Sequence, residues 1–167
     1  KLNEMKPSDF YKKVFKRAAL IFLIGWLLNY FPFFDYNEAG EMVAVKLSEV
    51  RLLGVLQRIA LVYLAASLIY LSFSIRTQII IGVSLLLGYW ALLTLVPVPG
   101  GTAPNLDPET NLGAWLDRFL LTENHLWGQA KTWDPEGILS TLPAIVTGLI
   151  GVWTGIWLKA QQSWQEK

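Results

Sequence analysis

Leu52-Leu53-Gly54-Val55-Leu56-Gln57-Arg58-Ile59-Ala60-Leu61-Val62-Tyr63-Leu64-Ala65-Ala66-Ser67-Leu68-Ile69-Tyr70-Leu71-Ser72-Phe73 carries one charge in 22 residues. Crossing roughly 30 Å of hydrocarbon takes about 20 helical residues, so the stretch reads as a membrane-spanning helix. Working outward, similar apolar runs occupy residues 78–96 and 18–34, and a fourth, residues 136–158, follows Asp134-Pro135. The expectation is an all-α membrane protein. Its single domain, residues 1–167, is a polytopic helical bundle with four transmembrane helices and outer loops at about 35–50 and 97–135. Buried core helices of a soluble protein fit poorly, because four such runs leave too little polar sequence to cover them.

Composition agrees. The chain is 53% hydrophobic and 16% charged, where soluble domains carry about 25% charge. Eight Trp and eight Phe suit helix ends at headgroup level. A net charge of +1 gives no basis for a nucleic-acid partner. With no cysteine and one histidine, disulfides, thiolate sites and histidine-cluster metal sites are excluded, and no metal is expected. Neither a phosphate-binding GxxxxGK[ST] loop nor a GxSxG elbow is present. The chain opens at Lys1 without a cleavable signal peptide and reads as an internal piece of a longer protein.

Basic residues set the expected orientation. Lys1, Lys6, Lys12, Lys13, Lys16 and Arg17 before the first run, Arg76 between the second and third, and Lys159 and Lys167 at the end make nine of the 14. They fall on one side, which the positive-inside rule makes cytoplasmic, with both termini. Lys46, Arg51, Arg118 and Lys131 lie opposite, and Arg58 is inside the second run. Nine of the 13 acidic residues fall in the outer loops, and Glu136 stands at their edge. The second loop, about 40 residues, is too long for an idle connector. It opens on Pro97-Val98-Pro99-Gly100-Gly101, and Leu112, Trp115, Leu116, Phe119 and Leu120 then recur at helical spacing. Residues 111–121 therefore read as a short helix on the membrane or plugging the bundle.

Several residues stand out as chemistry. An arginine within a span costs at least a few kcal/mol unless paired or hydrated. Arg58 either lines a water-filled cavity and binds an anion such as a phosphate, or braces a neighbouring helix. Gln57 precedes it, and Arg51, seven residues earlier, would share its helical face or answer the loop acids. In Thr132-Trp133-Asp134-Pro135-Glu136-Gly137, Asp134 reads as a helix cap, Pro135 as the first helical residue and Glu136 as a first-turn carboxylate. Glu136 has a second reading, as an acid, base or substrate ligand at the membrane boundary. Ser140 and Thr141 either donate to a ligand or bond back to the preceding turn. Ala144, Gly148, Gly151 and Gly155 give the last span a small-residue face, with Gly151 and Gly155 as the close-approach pair. His125, beside Glu123 and Asn124, is a general-base candidate near neutral pH or a loop histidine without a role.

Three stretches in order, Arg51-Leu52-Leu53-Gly54-Val55-Leu56-Gln57-Arg58-Ile59-Ala60, Leu95-Val96-Pro97-Val98-Pro99-Gly100 and Asp134-Pro135-Glu136-Gly137-Ile138-Leu139-Ser140-Thr141, resemble the heparan-alpha-glucosaminide N-acetyltransferase family and its bacterial relatives. Residues 111–118 and His125-Leu126-Trp127 also match the family's pattern, and the resemblance runs from about Lys12 onward. It implies a transmembrane acyltransferase of a bacterial inner membrane that passes acetyl from cytoplasmic acetyl-CoA to a glucosamine-type amino sugar or glycan on the outer face. It also implies that this chain is a middle portion, partnered by the parent's remaining transmembrane helices, by lipid and in an oligomer left open. The family's catalytic histidine lies upstream of the matched region, so that role does not pass to His125. Under the resemblance Arg58, Arg51 and Gln57 would bind the cofactor, answering CoA phosphate or the thioester's developing oxyanion. Asp134 and Glu136 would hold the cationic sugar or remove its proton. The competing classes are an amino-sugar transporter or permease component without chemistry, and a packing module that leaves Arg58 and the long loop unexplained.

Overall fold

A computed structural model describes residues 7–37, 39–101 and 103–165. The chain is mostly helical. The main helices are α1 (Pro7–Tyr30), α2 (Val55–Ser72), α3 (Ile75–Leu95), α4 (Leu112–Leu121) and α5 (Thr141–Gln165). Of these α2, α3 and the Thr141–Gln161 part of α5 are long and apolar enough to cross a membrane. The third crossing thus starts near residue 75 and the last at 141, against the 78 and 136 read from the sequence.

α1 is long, but Lys12, Lys13, Lys16 and Arg17 occupy its first half, and its uncharged run lasts only from Ala18 to Tyr30. The expected first run, 18–34, is cut short because Pro32 biases the residue before it away from helical backbone. Residues 34–36 instead form a strand. β1 (Phe34–Tyr36) pairs antiparallel with β2 (Met42–Ala44), Phe34 opposite Ala44. This exposed ribbon is the one departure from an all-α fold among the described residues.

α1 packs on α2, α2 on α5 and α5 on α3, so α5 lies between two helices that precede it together in sequence. Ser74 accepts a hydrogen bond from the Thr77 amide and caps α3 after the short α2–α3 turn. Gln78, buried, donates to the Phe73 carbonyl (2.8 Å) and accepts from Trp153 Nε1 (2.9 Å), tying that turn to α5. Small residues make the contacts close. A Cβ on Gly148 would meet Val62 Cγ1 at 2.7 Å, so glycine sets the α2–α5 distance. Gly151 and Gly155, expected as the close-approach pair, have nothing within 4 Å of a built Cβ. The face of α5 that packs passes through Val146, Leu149 and Trp153 instead, which turns Gly151 and Gly155 outward.

The core is thin. Leu149 is fully buried, whereas Leu23, Ile24, Leu27, Ile80, Leu87 and Trp90 are each more than half exposed. In water that apolar area would cost about 25 cal/mol per Å². A bilayer removes the cost.

Candidate functional site

The long connections 31–54 and 96–140 meet in one layer over the N-terminal ends of α2 and α5. Leu52 N donates to the His125 carbonyl (3.1 Å), His125 Nδ1 pairs with the Val50 carbonyl (2.7 Å), and Asn29 donates to the Arg51 carbonyl (3.1 Å). His125 is therefore a staple between the two connections, and the structure does not bring it to the carboxylates described next.

Arg51 is the centre of the layer. Its Nε donates to Asp134 Oδ2 at 2.9 Å, and its Nη2 reaches both Asp134 Oδ1 and Glu136 Oε2 at 2.5 Å. The Asp134 side chain is fully buried, Arg51 and Glu136 largely so. Burial works against the guanidinium's charge, but the hydrogen bonds and charges of Asp134 and Glu136 outweigh it and raise the Arg51 pKa. Arg51 does not share a helical face with Arg58. Gly54 is extended and α2 starts only at Val55, so the seven-residue spacing carries no helical phase there. The two guanidiniums nevertheless converge on one loop, since Arg58 Nη2 donates to the Pro135 carbonyl and to Ser140 Oγ (2.5 Å). Arg58 Nε is buried without a hydrogen-bond partner among the described residues. Arg58 thus braces the 135–140 loop and keeps one donor in reserve.

Asp134 does not cap a helix. Its Oδ1 accepts from the Glu136 amide (2.9 Å) in a side-chain turn, and α5 begins seven residues later, at Thr141. Pro143 is the reason. A helix starting at Pro135 would put Pro143 in its interior, where the missing N–H and the ring are incompatible with the carbonyl four residues back. Starting at Thr141 leaves Pro143 in the first turn, where no N–H is needed. Ser140 and Thr141 bond back to the Gly137 carbonyl, at 3.0 and 2.9 Å. Glu136 accordingly precedes the helix and serves Arg51 rather than the helix dipole.

Gln57 is 1% exposed, but it points away from Arg58, toward Gly25, Gly54 and Asn29, and its Nε2 has no partner among the described residues. It does not join Arg51 and Arg58.

α4 brings in a residue that sequence reasoning passed over. The helix expected over 111–121 is present, and Asn111 caps it by accepting from the Ala114 amide (2.9 Å). The face that turns inward, however, carries Ala114 and Asp117, each 3% exposed, while Phe119 and Leu120 are exposed. Asp117 Oδ1 accepts from the Ile138 amide (2.8 Å). A Cβ on Gly137 would lie 2.0 Å from Asp117 Oδ2, so only glycine lets the loop pass over this carboxylate. Desolvation raises the Asp117 pKa to about 6, with the nearby charge of Asp134 adding to it and the Ile138 amide, Arg118 and Arg58 opposing it. The signal in the sequence was an acidic residue one turn after Ala114 on a helix whose other polar positions are few.

Three spaces adjoin these groups. An open groove of about 620 Å³ runs between α2 and α5 from Arg58 and Ala144 to Ser67 and Val152. A smaller cavity of about 220 Å³ lies beside Asp117, Asp134, Asn111, Tyr89, Trp133 and Ser140. A vestibule of about 660 Å³ borders Arg51, Asn29, Glu49, Glu123 and Lys131. Arg58 and its partners Pro135 and Ser140 stand between groove and cavity. No group of three or more metal-ligating side chains occurs among the described residues. No protein-family model matches the chain, and no curated protein is significantly similar to it.

Proposed function

We propose that this chain belongs to a transmembrane acyltransferase that moves acetyl from acetyl-CoA to the amino group of a glucosamine-type sugar, with donor and acceptor entering from opposite sides. The observation that carries the reading is Arg58, a half-buried cation at the end of an apolar groove, against the loop that also lines a polar cavity. The groove's lining spans Arg58 to Ser67, about 13 Å along the helix, and suits a slender, mostly apolar arm. Arg58 at its loop end would meet the thioester carbonyl. Its guanidinium, whose buried Nε has no partner among the described residues, would stabilise the oxyanion that develops on that oxygen. This geometry favours the oxyanion role over phosphate binding, because the phosphates of a cofactor arriving from the far side would lie at the other end of the groove. Arg51, Asp134 and Glu136 then act mainly as the clamp that holds the loop.

In this reading α1 is a fourth crossing, its basic first half at the cytoplasmic surface beside both ends of the chain. Residues 31–54 and 97–140 face outward, in a bacterial inner membrane. The exposed apolar faces of α1 and α3 are covered by lipid and by further helices of the parent protein, so the isolated chain is inactive.

Labelled acetyl-CoA and glucosamine, supplied to membranes containing the full-length protein, test the reading. Transfer is expected, and Arg58→Ala should lower it by about 100-fold or more, the loss of one oxyanion donor. Amino-sugar uptake without acetylation would replace the reading with a permease.

A further inference from the structure

The carboxylates assigned to the acceptor on sequence grounds are already engaged. Both oxygens of Asp134 are held by Arg51, and Glu136 shares the same guanidinium. Asp117 differs. One oxygen takes the Ile138 amide, while Oδ2 has no hydrogen-bond partner among the described residues and the side chain lines the 220 Å³ cavity. The residue is 3% exposed, and the lack of a side chain at Gly137 makes room for Oδ2 where a Cβ would clash with it. On a residue this buried, a carboxylate with one oxygen still free is stabilised by any donor that enters the cavity.

We propose that Asp117 is the base that receives the proton of the acceptor's ammonium group, with one amino-sugar ring occupying the cavity against Trp133. This rests on the acetyl-transfer reading above. The cavity holds roughly seven water volumes, enough for a single small polar ring and too little for a drug-sized ligand. Ser140 and Asn111 offer hydroxyl and amide contacts in the same wall. The charged and titratable groups around Asp117 are Arg118 on its own helix, Arg58 from α2, Asp134 on the loop and Tyr89 from α3.

In the step, an N–H bond of the ammonium breaks and its proton passes to Asp117 Oδ2. The freed nitrogen lone pair attacks the thioester carbonyl carbon beside Arg58 and Ser140, where the two must meet directly. A C–N bond forms, the C–S bond breaks, and the sulfur leaves as thiolate. The second proton lost from nitrogen goes to that thiolate, and Asp117 returns its own to water. A carboxyl whose pKa lies near 6 is ionised at neutral pH and basic enough to take the proton.

The test compares the full-length protein with its Asp117→Asn variant, on glucosamine and on an analogue bearing a hydroxylamine, which is uncharged at neutral pH and need not shed a proton before attack. Asparagine keeps the acceptor for the Ile138 amide and fits beside Gly137. With glucosamine, kcat is expected to fall by about 100-fold or more while KM for acetyl-CoA stays the same. With the hydroxylamine the loss should shrink to a few-fold, and with glucosamine the wild type, unlike the variant, should lose activity as Asp117 is protonated below about pH 6. Equal losses with both acceptors, or an unchanged rate with glucosamine, overturn the proposal while acetyl transfer stands. Should the variant not fold, a wild-type profile flat through pH 6 overturns it equally. A wild type that acetylates neither acceptor defeats the underlying reading instead, and the role of Asp117 falls with it.

Discussion

α2 and α5 are joined twice, by different means. At their N-terminal ends the link is ionic and indirect: Arg51 and Arg58 grip the 134–140 loop that leads into α5. Further along, the link is direct and apolar, Gly148 against Val62 and Ala66. The first contact holds only if each charge keeps its partner, because a carboxylate stripped of its cation inside the layer has no water to replace it. The second depends on shape alone and fails by overfilling. One end of the helix pair is therefore specified by chemistry and the other by volume, and the groove opens between the two.

The largest effect is expected at the ionic end. Arg51→Ala leaves Asp134 buried without its cation and should destabilise the folded protein by about 3–5 kcal/mol, read by unfolding in detergent. A loss below about 1 kcal/mol would mean that water already reaches Asp134, placing it with exposed ion pairs. At the apolar end, Gly148→Ala should cost about 1–3 kcal/mol, and Val62→Ala in the same protein should recover much of it, because the crowding lies between those two positions. Additive losses would show that the helices are not held at this contact.

Asp117 gives a pH-dependent effect of smaller size. Its folded pKa, about 6, lies above its ordinary value of 3.8, so between those values the folded protein holds a proton that the unfolded chain has released. Stability from this group is full below about pH 4 and declines as pH rises through 6. Discounted for water in the cavity, the change is about 1 kcal/mol. Asp117→Asn should flatten that slope in pH-dependent unfolding, and an unaltered slope would assign it elsewhere. Smallest of all, Gly155→Ala meets nothing within 4 Å and should be neutral or stabilising by up to about 1 kcal/mol. A clear destabilisation would reveal a helix packed on that face in the full-length protein.

Much of the fold was open to reading because its causes are local. Apolar length marks α2, α3 and α5, and the helical spacing of Leu112, Trp115, Leu116, Phe119 and Leu120 marks α4. Pro143 also held a local message, that α5 cannot begin at Pro135, but the Asp134-Pro135-Glu136 pattern imitates a helix start closely enough to obscure it. The amphipathic stripe of α4 was legible, yet its sense was not. In a membrane-associated layer the apolar side can face outward and the lone acid inward, which reverses the rule that holds in water. For the site, Arg58 stood out because an arginine within an apolar run is conspicuous. Asp117 did not, because an aspartate beside an arginine on a loop helix looks like any solvated pair.

The sequence by itself determined that this chain carries membrane-crossing helices, where most of them run, and that Arg51, Arg58, Asp134 and Glu136 required an explanation. Those features follow from hydropathy, helix length and the expense of charge in an apolar run, which a linear pattern records. Only the tertiary structure decided the pairings. Arg51 meets a carboxylate 83 positions away, and Gly137 passes over Asp117, because chain segments distant in sequence are brought together by packing that spacing does not encode. Which carboxylate is neutralised and which is left open to a cavity was settled there.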